Sequence, residues 1–486
     1  MKIINFNIFS NTRWEKKETL LTYNFTNTGS DSLYEYLYKC IKKDILSGKI
    51  KAGEKLPSKR MFAKNLGISV ITVENAYGQL MAEGYIYSQP KKGFFVSDLK
   101  IASAVEKEIR TDRHHVILTG GENAYLADFS SNQTETEVFP FSIWTRTMRE
   151  IMSEKQEELM TNPPCGGIME LRENIARYLM DFRGMSVQRE QIIVGAGTEY
   201  LYSLLIQLLG EKCVYGVENP GYHKVAKIYE SMGVPYRYLD MDHAGVLPSQ
   251  LEEKNVQILH TSPSHHFPTG VVMPVSRRYE LLGWAAGSPD RYIIEDDYDS
   301  ELRLCGKPVP TLQSMDVSGK VIYMNTFTKT LSSTVRISYM VLPDSLAELF
   351  YRNLSFYSCT VSNFEQYTLS RFIQNGSFEK HINRLRNYYQ MKRDKLLEAF
   401  YSHPIHKYIS IYEEEAGVHF LMKIDTKKTE KEVMDAARAK GIRLNPVSGY
   451  YFGTPPEQEQ IYVMNYSSVP LEKKEEIVSR IYEAVL

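Results

Sequence analysis

A lysine and an arginine stand seven residues apart in a stretch rich in hydroxyl groups. Lys329 and Arg336 lie in TFTKTLSSTVR (326–336), after the apolar, β-prone run at 320–324. A lysine held in an ordered, partly apolar loop can lose its proton and attack an aldehyde, forming a Schiff base. The nearby hydroxyls and the forked cation of Arg336 are the groups that a phosphate monoester requires. An aldehyde and a phosphate on one ligand indicate pyridoxal 5′-phosphate (PLP), and a lysine lying in solvent is the alternative for this stretch alone.

A group of carboxylates follows a second predicted strand, Tyr292–Ile294, where the sequence continues as EDDYD (295–299). In open parallel sheets, ligands bind at the carboxyl ends of the strands. A carboxylate there would keep the PLP pyridine nitrogen protonated, which makes the ring an electron sink. Tyr298 could give its hydroxyl to the phenolic oxygen. A solvated acidic loop and a metal site are the alternatives, and the lack of suitably spaced His or Cys disfavours the metal.

Three strings in this region resemble the MocR subfamily of GntR-type bacterial regulators. They are IEDDYDSE (294–301), VIYMNTFTKTL (321–331) and RISY (336–339), and the resemblance extends from about Ser32 to the C-terminus. It implies an α/β protein in which a winged helix-turn-helix is joined to a fold-type I aminotransferase-like domain, with a mostly parallel sheet and a small C-terminal α+β subdomain. It also implies that Lys329 carries the cofactor, that Asp296 faces the pyridine nitrogen and that Tyr298 faces the phenolic oxygen. The phosphate would be bound by Thr326, Thr328 and Arg336.

Length and composition describe a globular chain of several domains. A chain of 486 residues should hold two or three domains, and 43% hydrophobic residues with a net charge of −1 is typical of a soluble protein. No apolar run approaches the roughly 18 residues of a membrane helix, and the first residues do not resemble a signal peptide. The five cysteines are scattered without a Cys-x-x-Cys pair, which favours a reducing cytoplasm over disulfides or structural zinc.

Residues 31–97 form a basic module with helix-turn-helix spacing. They contain eleven Lys or Arg against six Asp or Glu, a balance that favours nucleic-acid binding. Ser58, Gly67 and Ser69 mark the start of a short helix, a turn and the start of a second helix, and a two-stranded wing follows. The residues predicted to contact phosphates or bases are Ser58, Arg60, Ser69, Thr72, Asn75, Lys91 and Lys92. A winged helix used for protein contacts is the alternative interpretation.

Beyond residue 126, strands alternate with helical stretches as in a mostly parallel sheet, and several strands end in residues that could bind a ligand. Gly197 and Thr198 begin an apolar helix whose backbone N–H groups could hold the phosphate. Tyr222 could stack on the pyridine ring, and His265 or His266 could reach its oxygen. A plain turn and a packed histidine are the alternatives for these motifs.

The chain departs from the family pattern at three places. Val70 stands where an arginine usually follows the capping serine, which removes one expected DNA contact. Thr161 stands where a tyrosine is usually donated to the partner subunit's phosphate. No arginine lies in 460–466, where aminotransferase-like domains normally bind a substrate carboxylate. Arg443 or Lys224 could substitute, and a solvated surface position is the alternative for each.

These features divide the chain into an N-terminal arm (1–30), a winged helix-turn-helix domain (31–97), a linker (98–126), a PLP-binding large domain (127–374) and a small C-terminal domain (375–486). They predict a cytoplasmic, homodimeric regulator that binds a double-stranded DNA operator and senses an amine, an amino acid or PLP through a Schiff base at Lys329. The alternative is a working aminotransferase with an accessory N-terminal domain. Turnover stays open because Lys329 could move a substrate proton in either case, whereas the missing carboxylate arginine favours regulation.

Overall fold

The computed structural model describes residues 21–25, 31–99, 125–131, 136–304, 309–415, 417–455 and 460–486. Contacts within the chain divide it into two compact units, Met1–Gly120 and Gly121–Leu486. Most of the predicted arm and of the predicted linker lies outside the described residues, so the four boundaries between the five predicted segments stay predictions.

The first unit is a three-helix module with a two-stranded wing. Its elements are α1 (Leu33–Leu46), α2 (Lys59–Leu66), α3 (Val70–Ala82), β1 (Ile86–Gln89) and β2 (Gly93–Val96). Ser32 and Glu35 form a capping box at the start of α1. Gly67, with φ at 69°, takes the left-handed conformation that the tight turn between α2 and α3 requires. The predicted winged helix-turn-helix is therefore confirmed.

The core of this unit is formed mainly by α1 and α3. Leu37 of α1 and Val73 and Tyr77 of α3 are fully buried in one cluster, because apolar residues recur at helical spacing on one face of each helix. Leu21 is buried in the same cluster, so this residue of the predicted arm packs with the module.

The second unit is built on an eight-stranded sheet. Its strands, together with those of two smaller sheets, are β3 (Ala127–Asp128), β4 (Ile192–Gly195), β5 (Tyr215–Asn219), β6 (Tyr236–Asp242), β7 (Gly245–Val246), β8 (Ile258–Thr261), β9 (Tyr292–Asp296), β10 (Val321–Thr326), β11 (Ser338–Val341), β12 (Ile409–Tyr412), β13 (His419–Ile424), β14 (Ile442–Arg443) and β15 (Ile461–Asn465). The order in the large sheet is β4-β11-β10-β9-β8-β5-β6-β7. From β10 to β6 all neighbours run parallel, whereas β11 is antiparallel to β10 and to β4. The predicted mostly parallel sheet is confirmed.

Helices pack on both faces of this sheet. They belong to the series α4 (Phe141–Glu154), α5 (Gln156–Met160), α6 (Met169–Arg183), α7 (Thr198–Leu209), α8 (His223–Ser231), α9 (Ser249–Glu253), α10 (Val275–Ala286), α11 (Leu312–Met315), α12 (Asp344–Asn353), α13 (Asn363–Gln374), α14 (Ser377–Ser402), α15 (Glu430–Ala439) and α16 (Lys474–Val485). Every residue of β10 is buried. Tyr323 packs in the cluster that contains α6 and α13, whereas Ile322 and Met324 pack in the cluster that contains α7 and α12. A strand covered on both faces explains why its first four residues, 321–324, form a continuous apolar run.

The C-terminal part has its own antiparallel sheet, β12-β13-β15, which packs in one core with α14, α15 and α16. Ala127 and Phe129 are buried in that core, and β3 pairs with β14. The segment that precedes α4 thus packs with the end of the chain. Among the helices of the described residues, none is both long and apolar enough to cross a bilayer.

Candidate functional site

A cavity of about 410 Å³ lies in the second unit, at the carboxyl ends of the central parallel strands. This convergence follows from the topology, because parallel strands end at the same edge of a sheet. Of the residues predicted to bind a cofactor, the cavity is lined by Thr198, Tyr222, Asp296, Tyr298, Thr326, Thr328, Lys329 and Arg336. Gly197 and His265 are not among the lining residues. The structure thus brings most of the predicted set together, while the role of each residue stays a prediction.

Lys329 follows β10 and reaches the cavity wall from the connection to β11. Burial disfavours the charged ammonium and lowers the pKa of Lys329 to about 8, against an opposing effect of the Asp299 carboxylate. With that pKa, roughly one amine in ten is uncharged at neutral pH. The side chain is therefore poised to act as a nucleophile at a pH where an exposed lysine stays protonated.

Asp296 is the last residue of β9 and presents a partly satisfied carboxylate to the cavity. Its Oδ2 accepts a hydrogen bond of 2.8 Å from the Tyr202 hydroxyl and lies 3.7 Å from Nε2 of His260. Its Oδ1 is buried and has no hydrogen-bond partner in the described part of the chain. A buried carboxylate oxygen without a partner is costly unless a ligand supplies a donor or a positive charge.

Two tyrosines on the cavity wall differ in their surroundings. The Tyr298 hydroxyl is buried and has no hydrogen-bond partner among the described residues. Burial raises the pKa of Tyr298 well above its usual value, so the phenol stays neutral and can donate a hydrogen bond. Tyr222 is 54% exposed, and its ring meets Phe267 edge to face at 6.0 Å. Its predicted stacking on a pyridine ring stays a prediction.

The hydroxyl groups predicted to hold a phosphate form one hydrogen-bonded group at the end of β10. Oγ1 of Thr326 lies 2.8 Å from Oγ1 of Thr328 and accepts from the Ser338 hydroxyl at 2.8 Å. Gly197 precedes α7 with φ at 92°, and a side chain there would collide with the guanidinium of Arg336. One corner of the cavity is therefore enclosed by the start of α7, by the hydroxyl cluster of Thr326, Thr328 and Ser338, and by Arg336.

His265 does not line this cavity, but its ring stacks on that of Tyr298, which does, with centroids 6.3 Å apart. Its Nδ1 is 2.7 Å from Oδ2 of Asp299, and its ring stacks on that of His419 at 4.9 Å. Burial opposes protonation, but Asp299 raises the pKa of His265 overall. The histidines that do line the cavity are His260 of β8 and His223 at the start of α8.

Sequence reasoning missed several wall residues. His260 and Glu218 are each the penultimate residue of a strand, so a survey of every strand end could have found them. Burial raises the pKa of Glu218 to about 7, which places a titratable carboxyl on the wall. Asn445 and Asn465 come from the C-terminal part, and no local pattern marks them. Within the described ranges, no group of His, Cys, Asp or Glu is arranged to hold a metal ion.

The second candidate surface belongs to the first unit. The hydroxyls of Ser58 and Ser69 accept the backbone N–H groups of Met61 and Thr72, at 3.3 and 3.1 Å, and so cap α2 and α3. Of the residues predicted to contact phosphates or bases, Thr72 is partly exposed and all the others are exposed, namely Ser58, Arg60, Ser69, Asn75, Lys91 and Lys92. At the start of α3, Val70 is 42% and Ile71 68% exposed. The face of α3 opposite the core thus combines polar and branched apolar side chains.

The cavity of the second unit and the exposed surface of the first unit, together with their folds, define a class of protein. In this class a helix-turn-helix module precedes an aminotransferase-like body. The sequence matches the family "Bacterial regulatory proteins, gntR family" over residues 33–96 and the family "Aminotransferase class I and II" over residues 125–481. The kynurenine aminotransferase of Pyrococcus horikoshii, solved with PMP, has a similar structure, with a TM-score of 0.64 and 25% identity over 75% of this chain and 91% of that one.

Two relatives are similar to this chain over most of its length, and so over both family matches. The uncharacterized HTH-type transcriptional regulator YdeL of Bacillus subtilis (strain 168) is 38% identical over 424 residues, 87% of this chain and 91% of that protein. The probable rhizopine catabolism regulatory protein MocR of Rhizobium meliloti is 31% identical over 468 residues, 93% of this chain and 94% of that protein. The chain belongs to the MocR subfamily of GntR-type transcription regulators, as its motifs predicted.

Proposed function

We propose that this regulator acts in the cytoplasm as a homodimer, binds a double-stranded DNA operator through its first unit and holds PLP at Lys329 through a Schiff base. An amine, an amino acid or PLP itself is the signal. One observation carries the proposal: a partly buried lysine with a pKa of about 8 shares a cavity wall with a carboxylate oxygen that has no hydrogen-bond partner in the described chain.

The residues present fit the cofactor. When bound, PLP supplies an aldehyde that reacts reversibly with amines and a ring that withdraws electrons. Lys329 contributes the uncharged amine, the free oxygen of Asp296 holds a proton on the ring nitrogen, and the neutral hydroxyl of Tyr298 donates to the phenolic oxygen. The Thr326–Thr328 hydroxyls and Arg336 bind the phosphate at the start of α7, where the helix dipole favours an anion.

The part of the cavity wall that the C-terminal residues form supports a neutral or weakly polar end on the signal molecule. The segment at 460–466 contributes Val463 and Asn465 to this wall, next to Asn445 and Tyr450. Amide and phenol groups form hydrogen bonds but supply no formal positive charge for a carboxylate. This part of the wall, unlike the corner that contains Arg336 and Lys224, therefore suits an amine without a carboxylate, or PLP alone, better than an α-amino acid.

Regulation follows if the signal molecule binds two conformations of the body with different affinity. A ligand shifts a conformational balance only by its differential binding free energy. The linker would carry that shift to the DNA-binding module. A working aminotransferase is the second candidate, because the lowered pKa of Lys329 suits proton transfer at a substrate carbon as well as attachment.

The test is a spectral titration of the purified protein with PLP, followed by candidate amines and amino acids. The wild type should develop the visible Schiff-base band and Lys329→Ala should not, whereas Lys212→Ala, which removes an exposed lysine, should behave as the wild type. Operator binding and keto-acid formation are measured in the same samples. An amine that changes operator affinity without forming product supports sensing, and steady product formation supports the aminotransferase. An unchanged band in Lys329→Ala removes the assignment.

A further inference from the structure

A carboxylate occupies the corner of the cavity where a phosphate is expected. Glu199 is the second residue of α7, and its Oε2 accepts a hydrogen bond of 2.5 Å from Nη2 of Arg336. Its other oxygen contacts the ammonium of Lys224, which lies at the start of α8. All three side chains line the cavity. Both cations that could neutralise a ligand phosphate at this corner are therefore engaged by one glutamate.

The Glu199 carboxylate is charged at neutral pH. Partial burial raises its pKa, but the hydrogen bond from Lys224, its own backbone N–H and the charge of Arg336 lower the pKa below the usual value overall. A charged carboxylate in the first turn of a helix also interacts favourably with the helix dipole. Glu199 thus provides for this corner the negative charge that a phosphate would bring.

A purely structural role does not account for this arrangement. The side chains of Arg336, Lys224 and Glu199 are 47%, 49% and 32% exposed, and half-exposed ion pairs contribute little to folding stability. Next to a bound phosphate, in contrast, the Glu199 charge matters more, because two like charges at short range in a partly enclosed site repel strongly.

We infer that Glu199 lowers the affinity for PLP by competing with its phosphate for Arg336 and Lys224. This inference rests on the proposed function. It makes the cofactor exchangeable, so that occupancy of the cavity follows the concentration of free PLP, and the protein can read that concentration. Glu199 is a specificity-determining residue that acts on the phosphate and not on the aldehyde.

The experiment compares two ligands that differ only in the phosphate. The dissociation constants of PLP and of pyridoxal are measured from the visible band for the wild type, Glu199→Gln and Glu199→Ala. Glu170→Gln is the matched control, since Glu170 is also a first-turn carboxylate paired with a lysine, Lys155 at 2.6 Å, but lies outside the cavity lining. Both variants at Glu199 should bind PLP about tenfold more tightly or better, and pyridoxal with unchanged affinity.

The outcomes separate this inference from the proposed function. Unchanged PLP affinity in both Glu199 variants, or an equal gain for PLP and pyridoxal, overturns the role of Glu199 while the band that depends on Lys329 persists. A band in Glu199→Gln but not in the wild type supports it. If neither protein forms a band, PLP attachment and this inference both fail. Thermal unfolding without ligand verifies that each variant is folded.

Discussion

The first unit has a DNA-reading surface, by which we mean the exposed side chains Arg60, Asn75, Lys91 and Lys92, and the second unit has the cavity. The two places put their functional groups in opposite environments. Arg60, Asn75 and the wing lysines are solvent-exposed, where side chains can contact phosphates or bases directly. In the cavity, by contrast, burial lowers the pKa of Lys329 and raises those of Tyr298 and Glu218. The first surface depends on which residues stand at outward helix positions. The second depends on how the fold excludes water around a few charges.

This difference in burial predicts how strongly single substitutions affect ligand or DNA binding at each place. An exposed contact is one of several, so its loss weakens binding by a modest amount. A buried charge has few substitutes, since its partner is left uncompensated when it is removed. Substitutions in the cavity should therefore have larger effects than those on the DNA-reading surface.

The largest effect is expected from Asp296→Asn. This change removes the negative charge that the proposed function places opposite the ring nitrogen while keeping the shape of the side chain, and PLP affinity should fall about a hundredfold. Asp435→Asn, which changes an exposed carboxylate beside Arg438, is the control. Spectral titration measures both. Unchanged affinity in Asp296→Asn would mean that the Tyr202–Asp296 contact is structural.

The pH dependence of PLP attachment should show the lowered pKa of Lys329. Only the uncharged amine attacks the aldehyde, so the rate should rise about tenfold per pH unit below pH 8 and level off above it. Stopped-flow absorbance measures the rate, and Lys329→Ala gives the contribution of surface lysines. A rate that continues to climb towards pH 10 would show a lysine with an ordinary pKa.

Asn75→Ala should change which operator the protein prefers. An outward amide on α3 can bond to a base edge, and its loss should cost about 1–3 kcal/mol at one base-pair position and little elsewhere. Binding to a set of single-base operator variants measures this. An equal loss on every sequence would assign Asn75 to the phosphate backbone.

The smallest effect is expected from Arg60→Ala. Loss of one phosphate contact should weaken binding to every sequence by about 1 kcal/mol and reduce the slope of affinity against salt by about one. Lys49→Ala is the control, because Lys49 is exposed and paired with Asp44 at 2.8 Å. If the two variants have the same salt dependence, Arg60 does not contact phosphate.

Local sequence predicted the features that depend on neighbours in the chain. The caps at Ser58 and Ser69, the left-handed turn at Gly67 and the strand before Lys329 are all found where their patterns indicated. The carboxylates at 295–299 and Tyr298 could be located because they stand at the end of one recognisable strand, whereas the choice of Asp296 among them came from the family resemblance.

Features that depend on distant residues could not be predicted. Glu199 and Arg336 lie 137 positions apart, and only the sheet order brings them together. Val463 and Asn465 reach the cavity from the C-terminal part, which packs against the segment around Phe129. His265 and His260 are similar residues near the same strand, and only the fold distinguishes the one on the wall from the one paired with Asp299.

The antiparallel pairing of β10 with β11 has a further consequence. Thr326 is paired with Ser338, so both ends of the connection that carries Lys329 and Arg336 are fixed in sheet register. A slip of this register would turn buried side chains to the wrong face. Unfolding of the sheet should therefore displace the Lys329 amine and the Arg336 guanidinium together. With PLP bound as proposed, loss of the visible band on heating would report the unfolding of the second unit.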